Sequence, residues 1–404
     1  MHMVKRMNAL LLAVAGALTV HAAYAADTIT IGMTVSQTGA LNVDSVSQLH
    51  GAELWRDEVN AAGGIKAGNK RYKVRFVEYD DQSQGGRVQQ LYTRLVLQDK
   101  SQFLFSPYSS GLVATAAVIS EQYGKIMLIG GGAEGKTYEL GNKYLFQCIT
   151  PADQYLSGAI AELKEHNPHA KVAFVYSDDP FSKAVVAAAR DHAKAAGFTV
   201  ALDESYPPST TDFTAVINKV ISSGADTFLG GGHYSDGATL ARQLHDQKAG
   251  MKWVSLLVAP DSEKFKTLGA AANGITVPSQ WEPQVKYKAD FGPTVEQFTA
   301  EYTLKFKDLP DYHAASGYAT GLLLQHAIEK AGSIDPEKVT AELNKVDATI
   351  FAGREKFATD PGHHGLQIAH QMVLAQWQTK GGKLEKEMVW PDVARTASVV
   401  YPLP

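Results

Sequence analysis

Two loops rich in hydroxyl groups and glycine follow apolar segments that have the pattern of buried strands. Residues 106–111 (SPYSSG) follow the apolar segment 103–105 and run into a helical pattern, and residues 130–135 (GGGAEG) follow the apolar segment 126–129. Hydroxyls and unpaired backbone N–H groups at the start of a helix attract anions. Because both loops come at the carboxyl ends of strands, we expect them to converge around a ligand, although Ser109 or Ser110 could instead cap the helix.

Other chemistries fit these residues poorly. Residues 130–135 match the G-x-G-x-x-G pattern of dinucleotide sites, but Gly141 leaves room for barely two helical turns where that site needs a long helix. No serine lies in a G-x-S-x-G elbow, and His363 and His364 follow turn-forming residues without the H-x-x-x-H spacing of a helical metal site. The sequence predicts no cofactor, no metal and no catalytic residue.

A second group of candidate ligand contacts follows later strands. His233 and Tyr234 lie in a GGGHYSDG segment between a strand and a helix, where they could face the first loops or simply cap the helix. Asp261 ends the next strand and could meet an amino group of a ligand. Ligand-lining roles for aromatic residues compete with core packing. The aromatic candidates are Tyr108, Phe181, Tyr234 and Trp281.

Composition and the first residues indicate the compartment. The 404 residues carry a formal charge of -4, which leaves no basic excess to bind nucleic acid. Lys5 and Arg6, the apolar run 10–20 and a small-x-small pattern before Ala26 predict a cleaved signal peptide over residues 1–25. Cys148 is the single cysteine, so neither a disulfide nor a lipid anchor at the cleavage point is expected. These features predict a free periplasmic protein.

The order of elements predicts an α/β protein with two lobes. Strand and helix patterns alternate from residue 29 to about 277, which is typical of parallel sheets covered on both faces. Consecutive helices over 293–346 and a final antiparallel pair of strands follow. Helices without strands of their own must pack on sheets built earlier. The chain is therefore expected to cross between the lobes more than once.

The mature N-terminal region resembles the type I periplasmic binding proteins of the branched-chain amino acid class. The similar residues include ITIG at 29–32, DEVNAAGGI at 57–65 and PYSS at 107–110. The resemblance implies two Rossmann-like lobes with parallel central sheets joined by a three-strand hinge. It implies an N-terminal lobe of residues 26–152 plus 281–347, and a C-terminal lobe of residues 153–280 plus 348–404.

The resemblance also implies a ligand site in the cleft between the lobes. Ser110 would bind a ligand carboxylate, and the backbone of Gly132, Ala133 and Glu134 would add contacts. Phe181 and His233 would form aromatic walls. Asp261 would pair with an α-amino group.

Two departures from the family put the ligand in question. Glu134 stands where the family commonly has a small hydroxyl residue, and Asp261 is one methylene shorter than the usual Glu. The expected function is that of a monomeric ABC-importer receptor that closes about a hinge on an amino acid or an aromatic or amphipathic acid and delivers it to a membrane permease. A sensor without a transport role, or an exported enzyme, is the alternative.

Overall fold

The computed structural model describes residues 27–404, so the predicted signal peptide lies outside the described residues. Its first sheet has six strands. They are β1 Asp27–Val35, β2 Ile65–Ala67, β3 Lys70–Asp80, β4 Phe103–Phe105, β5 Met127–Ile129 and β6 Leu145–Gln147. Their order is β2-β3-β1-β4-β5-β6, and only the β2–β3 pair is antiparallel. The carboxyl ends of β4 and β5, where the two loops begin, are therefore neighbours.

The remaining strands form a second sheet and one short hairpin. They are β7 Lys171–Ser177, β8 Thr199–Tyr206, β9 Thr227–Gly231, β10 Trp253–Leu256, β11 Thr276–Ser279, β12 Asp347–Ile350, β13 Gly353–Lys356, β14 Val373–Lys380 and β15 Lys383–Trp390. The second sheet runs β15-β14-β11-β10-β9-β7-β8, and β12 pairs with β13 alone. β14 is antiparallel to both β11 and β15, which confirms the predicted final antiparallel pair.

In the described part of the chain, ten α-helices cover the two sheets. They are α1 Asn42–Ala61, α2 Gly85–Leu97, α3 Ser110–Gln122, α4 Ser157–His166, α5 Pro180–Ala195, α6 Thr214–Ser222, α7 Tyr234–Asp246, α8 Val295–Phe306, α9 Tyr312–Ala331 and α10 Pro336–Leu343. Helices α1, α8, α9 and α10 share one hydrophobic core with β1 and β4, and α2 and α3 pack on the opposite face of that sheet. The second sheet lies between a core formed with α4 and α5 and a core formed with α6 and α7. The predicted two-lobed α/β fold is confirmed.

Helices α1 and α9 approach closely because a glycine in each helix faces the backbone of the other helix. A Cβ atom at Gly51 would lie 1.8 Å from the carbonyl oxygen of Ala314, and one at Gly317 would lie 2.0 Å from that of Gln48. Side chains at these positions would force the helices apart. The first turn of α9 is thereby held against α1, beside the loops that follow β4 and β5.

Three segments of chain pass between the two sheets, and hydrogen bonds join them. The backbone N–H of Thr150 donates to Oε1 of Gln280 (2.8 Å), and Nε2 of Gln280 donates to the carbonyl oxygen of Thr150 (3.2 Å). The Thr150 hydroxyl lies 2.6 Å from Nδ1 of His370. The hydrophobic residues of 350–357 pack with the core of the first sheet. Residues 350–357 come after residue 347, which is the expected end of the N-terminal lobe. The boundary at residue 347 stays a prediction.

Candidate ligand-binding site

A small cavity lies where loops and helix ends from both lobes meet. About 270 Å³ there is free of protein atoms, a volume that includes space open to solvent. Loops of the first sheet contribute Tyr108, Ser109, Ser110, Gly130, Gly131 and Ala133. The rest of the lining consists of Ile149, Tyr155, Phe181, His233, Tyr312 and His313. Half of the lining residues are therefore aromatic, counting the two histidines, and hydroxyl and backbone groups lie at the start of α3.

The loops after β4 and β5 join at Ser110, as their sequence positions predict. The Ser110 hydroxyl oxygen accepts hydrogen bonds from the backbone N–H groups of Ala133 (3.1 Å) and Glu134 (3.2 Å). The backbone N–H of Ser109 donates to the carbonyl oxygen of Gly131 (2.9 Å). Because both contacts to Ser110 use its oxygen as an acceptor, its hydroxyl proton is left to donate to a ligand. The side chain is only 2% exposed, so that donation would occur away from bulk water.

Local backbone geometry sets this arrangement. Ser109 has a φ of +87°, which is rare for a residue with a Cβ atom, and its hydroxyl accepts from the N–H of Leu112 at the start of α3. A Cβ atom at Gly131 would lie 2.2 Å from Oε1 of Gln48 and 3.0 Å from Cα of Tyr108. Glycine at 131 thus permits the close approach of the two loops.

Residues of the second lobe close the cavity from the other side. The Tyr108 hydroxyl lies 3.0 Å from Nδ1 of His233, and this contact bridges the lobes. The ring of Phe181, in the first turn of α5, packs against the rings of His233 and Tyr155. A second bond between the lobes forms where the backbone N–H of Tyr234 donates to Oδ2 of Asp44 (3.3 Å). In this structure the lobes are closed on the cavity.

The first turn of α9 supplies two lining residues that the sequence analysis missed. Tyr312 and His313 follow the N-cap residue Asp311, whose carboxylate accepts from the backbone N–H of Ala314 (3.0 Å). The ring of His313 stacks on Tyr312 and meets the ring of Tyr108 edge to face. The Asp-Tyr-His sequence before a helix indicates only capping. Its place at the cavity depends on the return of the chain to the first lobe.

Charged groups around His313 stabilise its protonated form. Burial would lower the pKa of His313, but the carboxylates of Asp311, Asp44 and Asp261 outweigh burial and raise it. Burial would likewise raise the pKa of Asp311, yet His313, the Ser47 hydroxyl and a backbone N–H hold it at about 2. Positive charge on His313 is therefore favoured beside the cavity.

Asp261 lies behind the cavity wall in a buried ionic cluster. Its Oδ1 accepts from the Ser279 hydroxyl (2.7 Å), and its Oδ2 accepts from the backbone N–H of Tyr312 (3.0 Å). Nζ of Lys386 lies 3.9 Å from Oδ1 of Asp261 and 3.0 Å from Oε2 of Glu282. Burial would lower the pKa of Lys386, but the two carboxylates raise it and keep the ammonium charged. Asp261 thus already has protein partners.

The other predicted contacts divide between the lining and its surroundings. Tyr108, Ser109, Ser110, Ala133, Phe181 and His233 line the cavity. Gly132, Glu134 and Tyr234 are adjacent to lining residues but are not among them. Trp281 is a core residue, because its ring packs on Phe298 and Phe351 and its Nε1–H donates to a backbone carbonyl.

Three buried side chains near the cavity resemble a metal-ligand set. One ligand atom each from Asp261, Asp311 and His313 lies within 4.8 Å of the others. The two carboxylates, however, are bonded to Ser279, Ser47 and backbone N–H groups, and the Lys386 ammonium lies beside Asp261. A nearby cation of the protein opposes binding of a metal ion. The hydrogen bonds of the two carboxylates and the nearby ammonium account for these residues without a metal ion.

Two mainly parallel sheets and a cavity closed between their loops define a two-lobed solute-binding protein. The family model for periplasmic binding proteins matches residues 28–383, and the chain belongs to this family. The resemblance seen in the sequence is thereby confirmed. The family comprises solute-binding proteins of ABC transporters, not enzymes, and is normally periplasmic. No helix within residues 27–404 has the length and hydropathy to cross a membrane.

Relatives and solved structures agree with this assignment. The Leu/Ile/Val-binding protein homolog 8 of Brucella melitensis is 24% identical over 96% of this chain and 97% of its own length. The substrate-binding protein LivJ of Streptococcus pneumoniae, solved with isoleucine, has a TM-score of 0.75 at 23% identity and covers 90% of this chain and 100% of its own. A solute-binding protein of R. palustris, solved with benzoate, has a TM-score of 0.74 at 17% identity over 92% and 99% of the two chains.

Proposed function

We propose that this protein is the periplasmic receptor of an ABC importer and binds a small carboxylate-bearing solute in the cavity between its lobes. The observation that carries the proposal is the Ser110 hydroxyl, which lies at the start of α3 with both backbone contacts on its oxygen and its proton free. A helix N-terminus and a hydroxyl donor together favour a carboxylate. Structurally similar proteins solved with isoleucine and with benzoate support a ligand of this kind.

The predicted mechanism is closure of the lobes about the three crossing segments. A ligand bound to the loops of the first lobe would add contacts with Phe181 and His233 only when the second lobe closes, so it would favour the closed form. The closed form would then be recognised by a membrane permease. Export to the periplasm through a cleaved signal peptide and a monomeric state complete the proposal. The site residues proposed are those of the cavity lining.

Replacing Ser110 by Ala is expected to weaken carboxylate binding by about 1 to 3 kcal/mol. The substitution removes the hydroxyl donor and leaves the N–H groups of Ala133 and Glu134 without their acceptor. Isothermal titration with isoleucine and with benzoate measures the change, and the ligand that binds the unaltered protein is used for the comparison.

Ser209→Ala serves as the control, because Ser209 is exposed. Melting temperatures without ligand separate a folding defect from a loss of binding. An unchanged dissociation constant for the Ser110 variant, with the fold intact, would remove Ser110 from the site.

Ligand is expected to reduce the radius of gyration, because the free protein should populate open forms that closure removes. Small-angle scattering of free and ligand-saturated protein measures this reduction. The Ser110→Ala variant at the same ligand concentration should show a smaller reduction. Identical scattering curves for free and saturated protein would contradict hinge closure.

A further inference from the structure

The cavity lining offers positive charge and hydrogen-bond donors but no acid. Within residues 27–404, its titratable side chains are three tyrosines and two histidines, with no Asp or Glu. Carboxylates lie next to both imidazoles instead. Oδ1 of Asp311 is 3.8 Å from Nδ1 of His313, and Oδ1 of Asp179 is 3.9 Å from Nε2 of His233. An ammonium group of a ligand would lose its water without gaining a carboxylate partner in the wall.

Besides Ser110, His313 is a lining side chain with unused polar capacity. The residue is 1% exposed, and neither of its ring nitrogens has a hydrogen-bond partner among residues 27–404. Buried polar groups are normally bonded. Nδ1 of His313 faces the Asp311 carboxylate at 3.8 Å, so Nε2 is the nitrogen that needs a partner. The carboxylates of Asp311 and Asp44 favour its charged form, in which both nitrogens are donors. An oxygen atom of a ligand meets that requirement, and an ammonium group does not.

Asp261, the acid expected to pair with an α-amino group, is unsuited to that task. It is 0% exposed and is not part of the cavity wall. Each of its carboxylate oxygens already accepts a hydrogen bond, from Ser279 or from the backbone of Tyr312, and the Lys386 ammonium compensates its charge. Because Asp261 is not in the wall, an amino group inside the cavity would not contact it.

The remaining wall suits an aromatic ring. Tyr155 and Phe181 meet edge to face with their centroids 5.0 Å apart, and Tyr108 meets both His233 and His313 in the same way. A ligand ring can extend this cluster by further edge and face contacts, which strengthen aromatic packing beyond burial alone.

We infer that the cavity selects an aromatic carboxylate that has no α-amino group. This ligand binds His313, whereas the α-amino group of an amino acid would need a carboxylate of the protein at that place. The inference rests on the proposed function of carboxylate capture and specifies the class of solute. Ser110 and the start of α3 bind oxygen atoms of the ligand, the aromatic wall holds its ring, and the charge of His313 excludes an α-ammonium group.

Matched ligand pairs test this selection on the unaltered protein. The pairs are 3-phenylpropionate with L-phenylalanine and 4-methylpentanoate with L-leucine, which differ within each pair only by the α-amino group. Titration calorimetry is expected to show that the amine-free member binds about 10 to 100-fold more tightly, since the amine would be buried unpaired. The phenyl compound should bind more tightly than the aliphatic acid.

A variant isolates the role of His313. His313→Gln is expected to weaken binding of 3-phenylpropionate by about tenfold and to narrow the gap between the members of each pair. His245→Gln, at an exposed position, should change neither quantity. Circular dichroism checks that the variant folds. If it does not fold, the titrations of the unaltered protein with the ligand pairs still test the inference.

The outcomes separate the inference from the proposed function. Tighter binding of phenylalanine or leucine than of their amine-free partners would overturn the inference and leave carboxylate capture in place. Failure of all four carboxylates to bind a folded protein would contradict the proposed function as well.

Discussion

Replacing Lys386 by Met is expected to lower the free energy of unfolding by about 3 to 5 kcal/mol. Nζ of Lys386 is the buried cation between Glu282 and Asp261, and its removal leaves two carboxylates without a compensating charge. Burial already raises the pKa of Glu282, so loss of the ammonium would drive this carboxyl further towards its neutral form. Urea denaturation at neutral pH measures the loss.

Lys383→Met is the matched control, because Lys383 lies exposed on the same strand. It should change stability by less than about 0.5 kcal/mol. Adding Glu282→Gln to Lys386→Met should recover part of the loss by removing one uncompensated charge. A Lys386→Met variant as stable as the parent would show that the cluster is not ionic.

Gly51→Ala is expected to destabilise the protein by about 3 kcal/mol and also to weaken ligand binding. The new Cβ atom would lie 1.8 Å from the Ala314 carbonyl oxygen, so α1 and α9 must separate. The gain in helix propensity from the substitution, about 1 kcal/mol, does not offset this clash. Because Tyr312 and His313 begin α9, their displacement should reach the cavity. Denaturation and titration of the same samples measure both effects.

Gly86→Ala provides the comparison, because Gly86 also lies in a helix, α2. Apart from its own helix backbone and the adjoining residues, nothing in residues 27–404 lies within 4 Å of a Cβ atom at this position. The stability of this variant should stay equal or rise by up to about 1 kcal/mol. If Gly51→Ala behaved in the same way, the close approach of α1 and α9 would not constrain the site.

The sequence predicted the features of the fold that depend on local pattern. Alternating strand and helix patterns indicated the two sheets, and the loops at 106–111 and 130–135 meet because their strands are parallel neighbours. Tyr312 and His313 were missed because their position depends on a late return of the chain to the first lobe. Trp281 was expected near the ligand, but a large apolar side chain has the same sequence pattern in a core.

Asp261 shows a further limit of sequence reasoning. Its position at the end of a strand predicted a ligand contact, but Asp261 lies behind the wall, where its Oδ2 accepts from the backbone N–H of the lining residue Tyr312. Its partner Lys386 lies 125 residues further along the chain. No local sequence pattern reveals that the Lys386 ammonium compensates the charge of Asp261. Nor does any local pattern reveal that the cavity wall presents the imidazole of His313.

Two hydrogen-bond contacts between the lobes bear on how fast a bound solute could leave. Tyr108 contacts His233, and Asp44 contacts the backbone of Tyr234, so opening of the lobes must break these bonds. For a solute that can leave only after the lobes open, the opening rate is the upper limit of its dissociation rate, whatever contacts the solute makes. A strongly bound solute can leave more slowly than this limit, but no solute that needs the lobes to open can leave faster.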